Sequence, residues 1–187
     1  MGPSWYTVVQ SVEVVLDDEL DSAVRAQWAR LREAGLDSQG RIRAETNRPH
    51  VTLFVAQAVP PELDETIRAA VGPLPVPIRL GGIVVFGSRR VTLARAVVPS
   101  ADLLAVHARV YDALRGCPGV PEHIRPGDWT PHVTLARRVP AHDLGRAVVT
   151  AGTRHAGESG SVTAVRRWDG TAKREWFVAG MPGPARA

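Results

Sequence analysis

Lysine and cysteine are almost missing from this 187-residue chain: Lys173 and Cys117 are the single copies. One cysteine excludes an intrachain disulfide. Cys117 sits in Gly116-Cys117-Pro118-Gly119, a loop-like stretch with no partner base to activate a thiol. Aromatic residues make up only 5% of the chain. No apolar run approaches the ~20 residues of a membrane span. The first sixteen residues carry no basic segment, and Glu13 breaks their apolar run, so no secretory leader is expected. Several enzyme signatures are also missing. There is no Gly-x-Ser-x-Gly elbow, no phosphate loop ending in Gly-Lys-Ser/Thr and no dinucleotide-binding Gly-x-Gly-x-x-Gly.

What remains is ordinary for a globular protein, with 44% apolar and 22% charged residues. The length suits one compact unit or two small lobes sharing a core. The net charge is only +4. The isoelectric point near 10.2 arises because nearly every basic side chain is arginine. Arginine stays charged and forks onto phosphate; compositional bias in the coding sequence accounts for it equally well. The protein is expected to be a cytoplasmic monomer.

One five-residue phrase occurs twice: Pro49-His50-Val51-Thr52-Leu53 and Pro131-His132-Val133-Thr134-Leu135. On a strand, residues two apart share a face. His and Thr then project together, with Val and Leu turned to a core. The elements around the two copies correspond. In the first half, a strand from Trp5 to Leu16 leads to a helix capped by Asp17 or Asp18 and closed by Gly35, with Leu20, Val24, Trp28 and Leu31 at helical spacing. An Arg-rich loop over 37–48, the motif strand, a short helix from Pro60 to Val71 and a strand over 76–86 follow. Gly81-Gly82 marks a bulge in that strand. In the second half, Val91 to Val98 is a strand. Ser100 caps a helix with Leu103, Leu104, His107, Tyr111 and Leu114 on one side. A Gly/Pro-rich loop over 116–131, the motif strand to Val139, a helix over 141–149 and a hairpin turning at Asp169-Gly170 complete it.

The expected fold is therefore α+β and bilobal. Residues 1–187 form a single domain of two lobe-like halves, about 5–87 and 88–181. Each half carries an antiparallel sheet and helices about a pseudo-twofold axis. The cleft between them would receive both motifs.

Two histidines can divide acid and base roles near neutral pH. Displacement at phosphorus uses that division: a base activates the attacking oxygen while an acid protonates the departing one. The neighbouring threonine hydroxyls can donate to the non-bridging oxygens. No metal is required. A zinc site would want three protein ligands, and each motif offers one imidazole and one hydroxyl; Asp128 or His123 would have to supply the rest. His107, on an apolar helix face, is expected in the core. His123, His142 and His155 are expected in solvent. Trp5, Trp129 and Trp168 are candidates for base stacking at the cleft rim, and Trp28 for the core. Strand parity favours Arg138 over Arg137 as a phosphate ligand, unless a bulge shifts the phase.

The paired motifs resemble those of the 2H phosphoesterases, and within them the bacterial 2′-5′ RNA ligase, or RNA 2′,3′-cyclic phosphodiesterase, group. The segment Pro131-His132-Val133-Thr134-Leu135-Ala136-Arg137 is similar to that group's second motif. Arg48-Pro49-His50-Val51-Thr52-Leu53-Phe54 is similar to its first. Phe86 and Arg90-Val91-Thr92-Leu93 resemble its central Phe and following strand. The resemblance implies a catalytic set of His50, Thr52, His132 and Thr134, with Arg137 and Phe86 binding substrate and no cofactor or metal. It implies His50 as proton donor and His132 as acceptor. The substrates would be RNA ends or small nucleotides with a 2′,3′-cyclic phosphate or a 2′-5′ linkage. Phe54-Val55-Ala56-Gln57 departs from the group's Phe-Leu-Gly ending. That leaves cyclic phosphodiesterase, 2′-5′ RNA ligase, 2′-5′ oligonucleotide phosphodiesterase and non-catalytic nucleotide binder as the readings to separate.

Overall fold

A computed structural model describes residues 9–152 and 158–181. The elements run β1 (Gln10–Leu16), α1 (Asp18–Glu33), β2 (His50–Ala56), α2 (Asp64–Val71), β3 (Val76–Phe86), β4 (Arg90–Val97), α3 (Ala101–Leu114), β5 (His132–Pro140), α4 (Leu144–Ala151), β6 (Glu158–Asp169) and β7 (Arg174–Gly180). The expected start of the first strand at Trp5, and His155, lie outside the described residues.

All the strand pairs are antiparallel and belong to one sheet, ordered β2-β1-β6-β3-β4-β5, with β7 also on β6. The twelve-residue β6 carries that order. Its first residues pair with β3, and its later ones with β1 and β7. The strands are thereby exchanged across residues 87 and 88. β3, from the first half, joins β4 and β5, while β6 and β7, from the second, join β1 and β2. Periodicity marks a strand but not its partner, so the exchange has no local signature.

The helices group as α1 with α4 and α2 with α3. Asp17 caps α1 by accepting from Leu20 N at 2.9 Å, and its other oxygen accepts from Ser161 N on β6 at 2.5 Å. A side chain at Gly160 would lie 2.5 Å from that carboxylate, so this close approach requires glycine. Ser100 caps α3 through Leu103 N. Leu104 does not share the buried side of α3: it is 42% exposed, while Leu103, Val106, His107, Val110 and Leu114 turn inward. Within the polar 37–48 loop, Gln39–Arg41 form a single 3-10 turn pinned by Ser38, whose hydroxyl donates to the Trp28 carbonyl.

The motif strands β2 and β5 are the two ends of the sheet order. Each bulges at the same place. Val12 and Glu13 of β1 face Phe54 and Thr52, so Leu53 is the extra residue. Leu93 and Ala94 of β4 face Ala136 and Thr134, so Leu135 is. A bulge adds one residue and resets which face the later side chains take. Both motifs thus end in a phase shift just past the threonine.

Candidate active site

The sheet puts His50 and Thr52 on one strand face and His132 and Thr134 on the other, each residue half-buried. The imidazoles are fixed alike. His50 Nδ1 lies 2.8 Å from the Arg48 carbonyl and His132 Nδ1 lies 2.8 Å from the Thr130 carbonyl, each two residues back. A carbonyl only accepts, so Nδ1 carries hydrogen and Nε2 is left for chemistry. Each threonine carbonyl is held by an indole. Trp28 Nε1 on α1 donates to Thr134 O at 3.0 Å, and Trp129 Nε1 donates to Thr52 O at 3.1 Å. Each motif is therefore tied to a segment outside its own strand.

His132 is close enough to feel the charge of His50, and Arg137 acts on both rings. The bulge at Leu135 explains how Arg137 gets there: one extra residue brings it into phase with His132 and Thr134. Parity alone favoured Arg138, and the structure corrects that expectation. Arg138 is exposed, takes φ 63° and offers its carbonyl to Arg90 Nη1 at the next irregularity of the strand. Phe86 packs against the His132 ring, centroids 4.6 Å apart and planes inclined 48°.

Beneath the motifs the two sides differ. Thr52 pairs across the strands with Glu13, and Glu13 with Arg166. The corresponding row beside Thr134 is Ala94 and then Val84. Glu13 is only 5% exposed. It accepts from Ser11 Oγ at 2.6 Å and Arg166 Nε at 2.7 Å, and Oε1 lies 3.6 Å from His50 Nε2. Arg166 Nη2 lies 3.3 Å from His50 Nδ1. Arg166 also binds Glu175, which binds Arg48 at 3.1 Å. A chain of alternating charges thus backs His50.

Burial holds His50 below the ordinary imidazole range. The Glu13 carboxylate opposes this, and Arg166 and Arg137 reinforce it. Burial also holds His132 down; the Thr130 carbonyl opposes, while His50, Arg137 and His123 add to the effect. For Glu13, burial alone would raise the carboxyl, but His50, Arg166 and Ser11 outweigh it and keep it below its usual value.

Other candidates fall elsewhere. His107 is buried, with Nε2 3.0 Å from the Ile124 carbonyl. Trp129 stacks on it at 3.9 Å, with planes 4° apart. Trp129 is therefore a structural ring and not the free rim platform expected of it, since its face and its N–H are both engaged. Trp28 is in the core, 4% exposed, with its indole tied to Thr134. Trp168 is half-buried on β6 opposite Ser11, and Trp5 lies outside the described residues. His123 and His142 are exposed. Among the described residues no three His, Cys, Asp or Glu side chains gather in a metal-binding group. Among the described residues no helix is long and apolar enough to cross a membrane.

Glu13, Arg166 and the Trp28 indole were not foreseen at the site, and Trp129 was expected there only as a stacking platform. One signal was available: Val165-Arg166-Arg167-Trp168 places adjacent arginines on a strand, and adjacent residues must face opposite sides. At least one had to enter the interior.

A bilobal antiparallel fold presenting two His-x-Thr strands is that of the 2H phosphoesterases. Within that class, residues 20–167 match the family model of the 2′-5′ RNA ligase superfamily, and the chain belongs to it. Among solved structures, it is similar to Usb1 of Kluyveromyces marxianus (TM-score 0.57, 15% identity, 92% of this chain and 98% of that one). A second structure of that protein, with uridine monophosphate, aligns with TM-score 0.55 at 15% identity over the same shares of the two chains. Escherichia coli LigT, complexed with NADP+, aligns with TM-score 0.52 at 18% identity over 91% of this chain and 92% of that one. No curated protein matches the sequence.

Proposed function

We propose that the protein is a metal-independent phosphodiesterase that opens RNA 2′,3′-cyclic phosphate ends to 2′-phosphates. In this reading His132 removes a proton from water, whose oxygen attacks phosphorus. The bond to the ribose 3′-oxygen breaks, and His50 delivers a proton to that oxygen. Thr52 and Thr134 donate to the non-bridging oxygens. Arg137 offsets the phosphate charge, and Phe86 holds the His132 ring and borders the sugar or base. The observation that carries the reading is the pair of imidazoles fixed identically through Nδ1, with one arginine, Arg137, acting on both. Membership of a superfamily of phosphoesterases and RNA ligases supports it, as do neighbours solved with nucleotides.

The test is hydrolysis of nucleoside 2′,3′-cyclic phosphates in EDTA, with the product phosphate located by NMR. Turnover to the 2′-phosphate is expected. His50→Ala or His132→Ala should lower it by at least about 100-fold, the usual scale of a lost acid or base. Turnover that survives either substitution would end the proposal. So would activity confined to 2′-5′ dinucleotides.

A further inference from the structure

An open groove of about 680 Å³ runs between α1 and the loop that leads into β2. Its charged lining is mostly arginine: Arg25, Arg32, Arg43 and Arg48, against the carboxylates of Glu45 and Glu175. Several of these charges are already committed. Arg25 bonds Asp21 and the Asn47 carbonyl, and Glu175 is shared by Arg48 and Arg166. Arg32 and Arg43 are different. Both are exposed, and neither guanidinium has an ion-pair or hydrogen-bond partner among the described residues. Two free guanidinium groups therefore open onto one groove.

The groove adjoins the reacting groups. Arg48 lines it and also supplies the carbonyl that fixes His50. At about 3.3 Å per extended residue, that wall is within about 7 Å of the His50 backbone. Trp28 lines it too and holds Thr134. Ile42, 51% exposed, adds apolar surface on the same loop. A positive groove with some apolar surface suits a single-stranded nucleic-acid backbone, and guanidinium forks suit its phosphates.

We propose that this groove holds the phosphodiester backbone of the RNA strand that ends in the cyclic phosphate, through Arg32 and Arg43. The preferred substrate is then an oligonucleotide and not a mononucleotide. This rests on the phosphodiesterase reading above.

The experiment compares the wild-type protein with the Arg32→Ser/Arg43→Ser double variant. The substrates are a 2′,3′-cyclic mononucleotide and a hexanucleotide with a 2′,3′-cyclic end. The wild type should favour the hexanucleotide in kcat/KM. The double variant should lose about tenfold on it, mainly in KM, and keep its mononucleotide rate. Its log–log salt dependence should flatten by about 1.4, the value for two single-strand phosphate contacts. Equal hexanucleotide rates for both proteins, or equal losses on both substrates, would overturn the groove. If the wild type opens neither substrate, the reaction fails on its own. The groove is then judged by fluorescence anisotropy of a hexanucleotide with a 3′-phosphate: weaker binding by the double variant upholds it, and unchanged binding rejects it.

Discussion

Replacing Glu13 by Gln is the sharpest perturbation of the proposed chemistry. Glutamine keeps the length and an acceptor oxygen for Arg166 Nε, now 2.7 Å from the carboxylate. What it removes is a charge 3.6 Å from His50 Nε2. At an effective dielectric of about 20, that attraction on an imidazolium is about 4–5 kcal/mol in gross terms. Ser11 and Arg166 already draw on the same carboxylate. Water reaches the ring, His50 keeping 23% of its side chain exposed. The net effect is a further fall in the His50 pKa, smaller than that gross attraction. After the change His50 faces Arg166 and Arg137 with no counter-charge from β1.

The sign follows from the role. If His50 is the acid, it must be charged to react, and the alkaline limb of kcat/KM reports its titration. That limb should move to lower pH, costing about tenfold or more in activity above it. The assay is cyclic-phosphate hydrolysis across pH 4–9 in EDTA, with thermal melts to check the fold. Movement of the acidic limb instead would make His50 the base and reverse the assignment. A profile that does not move would refute the coupling itself.

Two further predictions test other parts of the site. Arg137→Ala should lower kcat/KM by about 10- to 100-fold, the scale of a charged hydrogen bond, whereas Arg138→Gly, at a positive-φ position, should leave it within about twofold; equal losses would refute the bulge argument. His107 is held by burial at about 4, against an ordinary 6.5, so the unfolded chain binds a proton the folded one does not. Stability should therefore fall as pH drops from 6.5 through 4, by up to about 3 kcal/mol. His107→Gln should flatten that slope in urea titrations at pH 7, 5 and 4.

The two His-x-Thr pairs were legible because their geometry is local: two residues on, same face. Arg137 was not, because strand parity holds only while the ladder is regular, and a bulge at Leu135 intervenes. The same limit hid the strand exchange through β6. Glu13 looked like an interruption in an apolar run. Its meaning depends on Arg166, 153 residues away, and no local pattern joins them. Trp129 misled for a related reason. An aromatic beside a motif suits a stacking platform, but His107 already covers its face.

A strict twofold scaffold would be poorly suited to the proposed reaction. Two equivalent, coupled imidazoles would take up protons one at a time, but nothing in the scaffold would decide which ring is the acid and which the base. The structure keeps the symmetry where it positions the rings and breaks it where it sets their charge. Both rings take the same carbonyl contact, both motifs bulge after the threonine, and an indole holds each threonine carbonyl. One cross-strand neighbour differs: Glu13 beside Thr52, Ala94 beside Thr134. A carboxylate favours the charged ring, so Glu13 opposes the burial that lowers His50. His132 instead has Phe86 against its face and no carboxylate in its cross-strand row, which favours the neutral ring a base must present. On this reasoning Ala94→Glu would do more harm than the loss of Glu13 alone. It would give His132 the same partner and remove the difference on which the division of roles depends. Pairing it with Glu13→Gln should restore part of the activity only if the two imidazoles can exchange roles. A double variant no better than Ala94→Glu would show that substrate orientation, as well as charge, assigns acid and base.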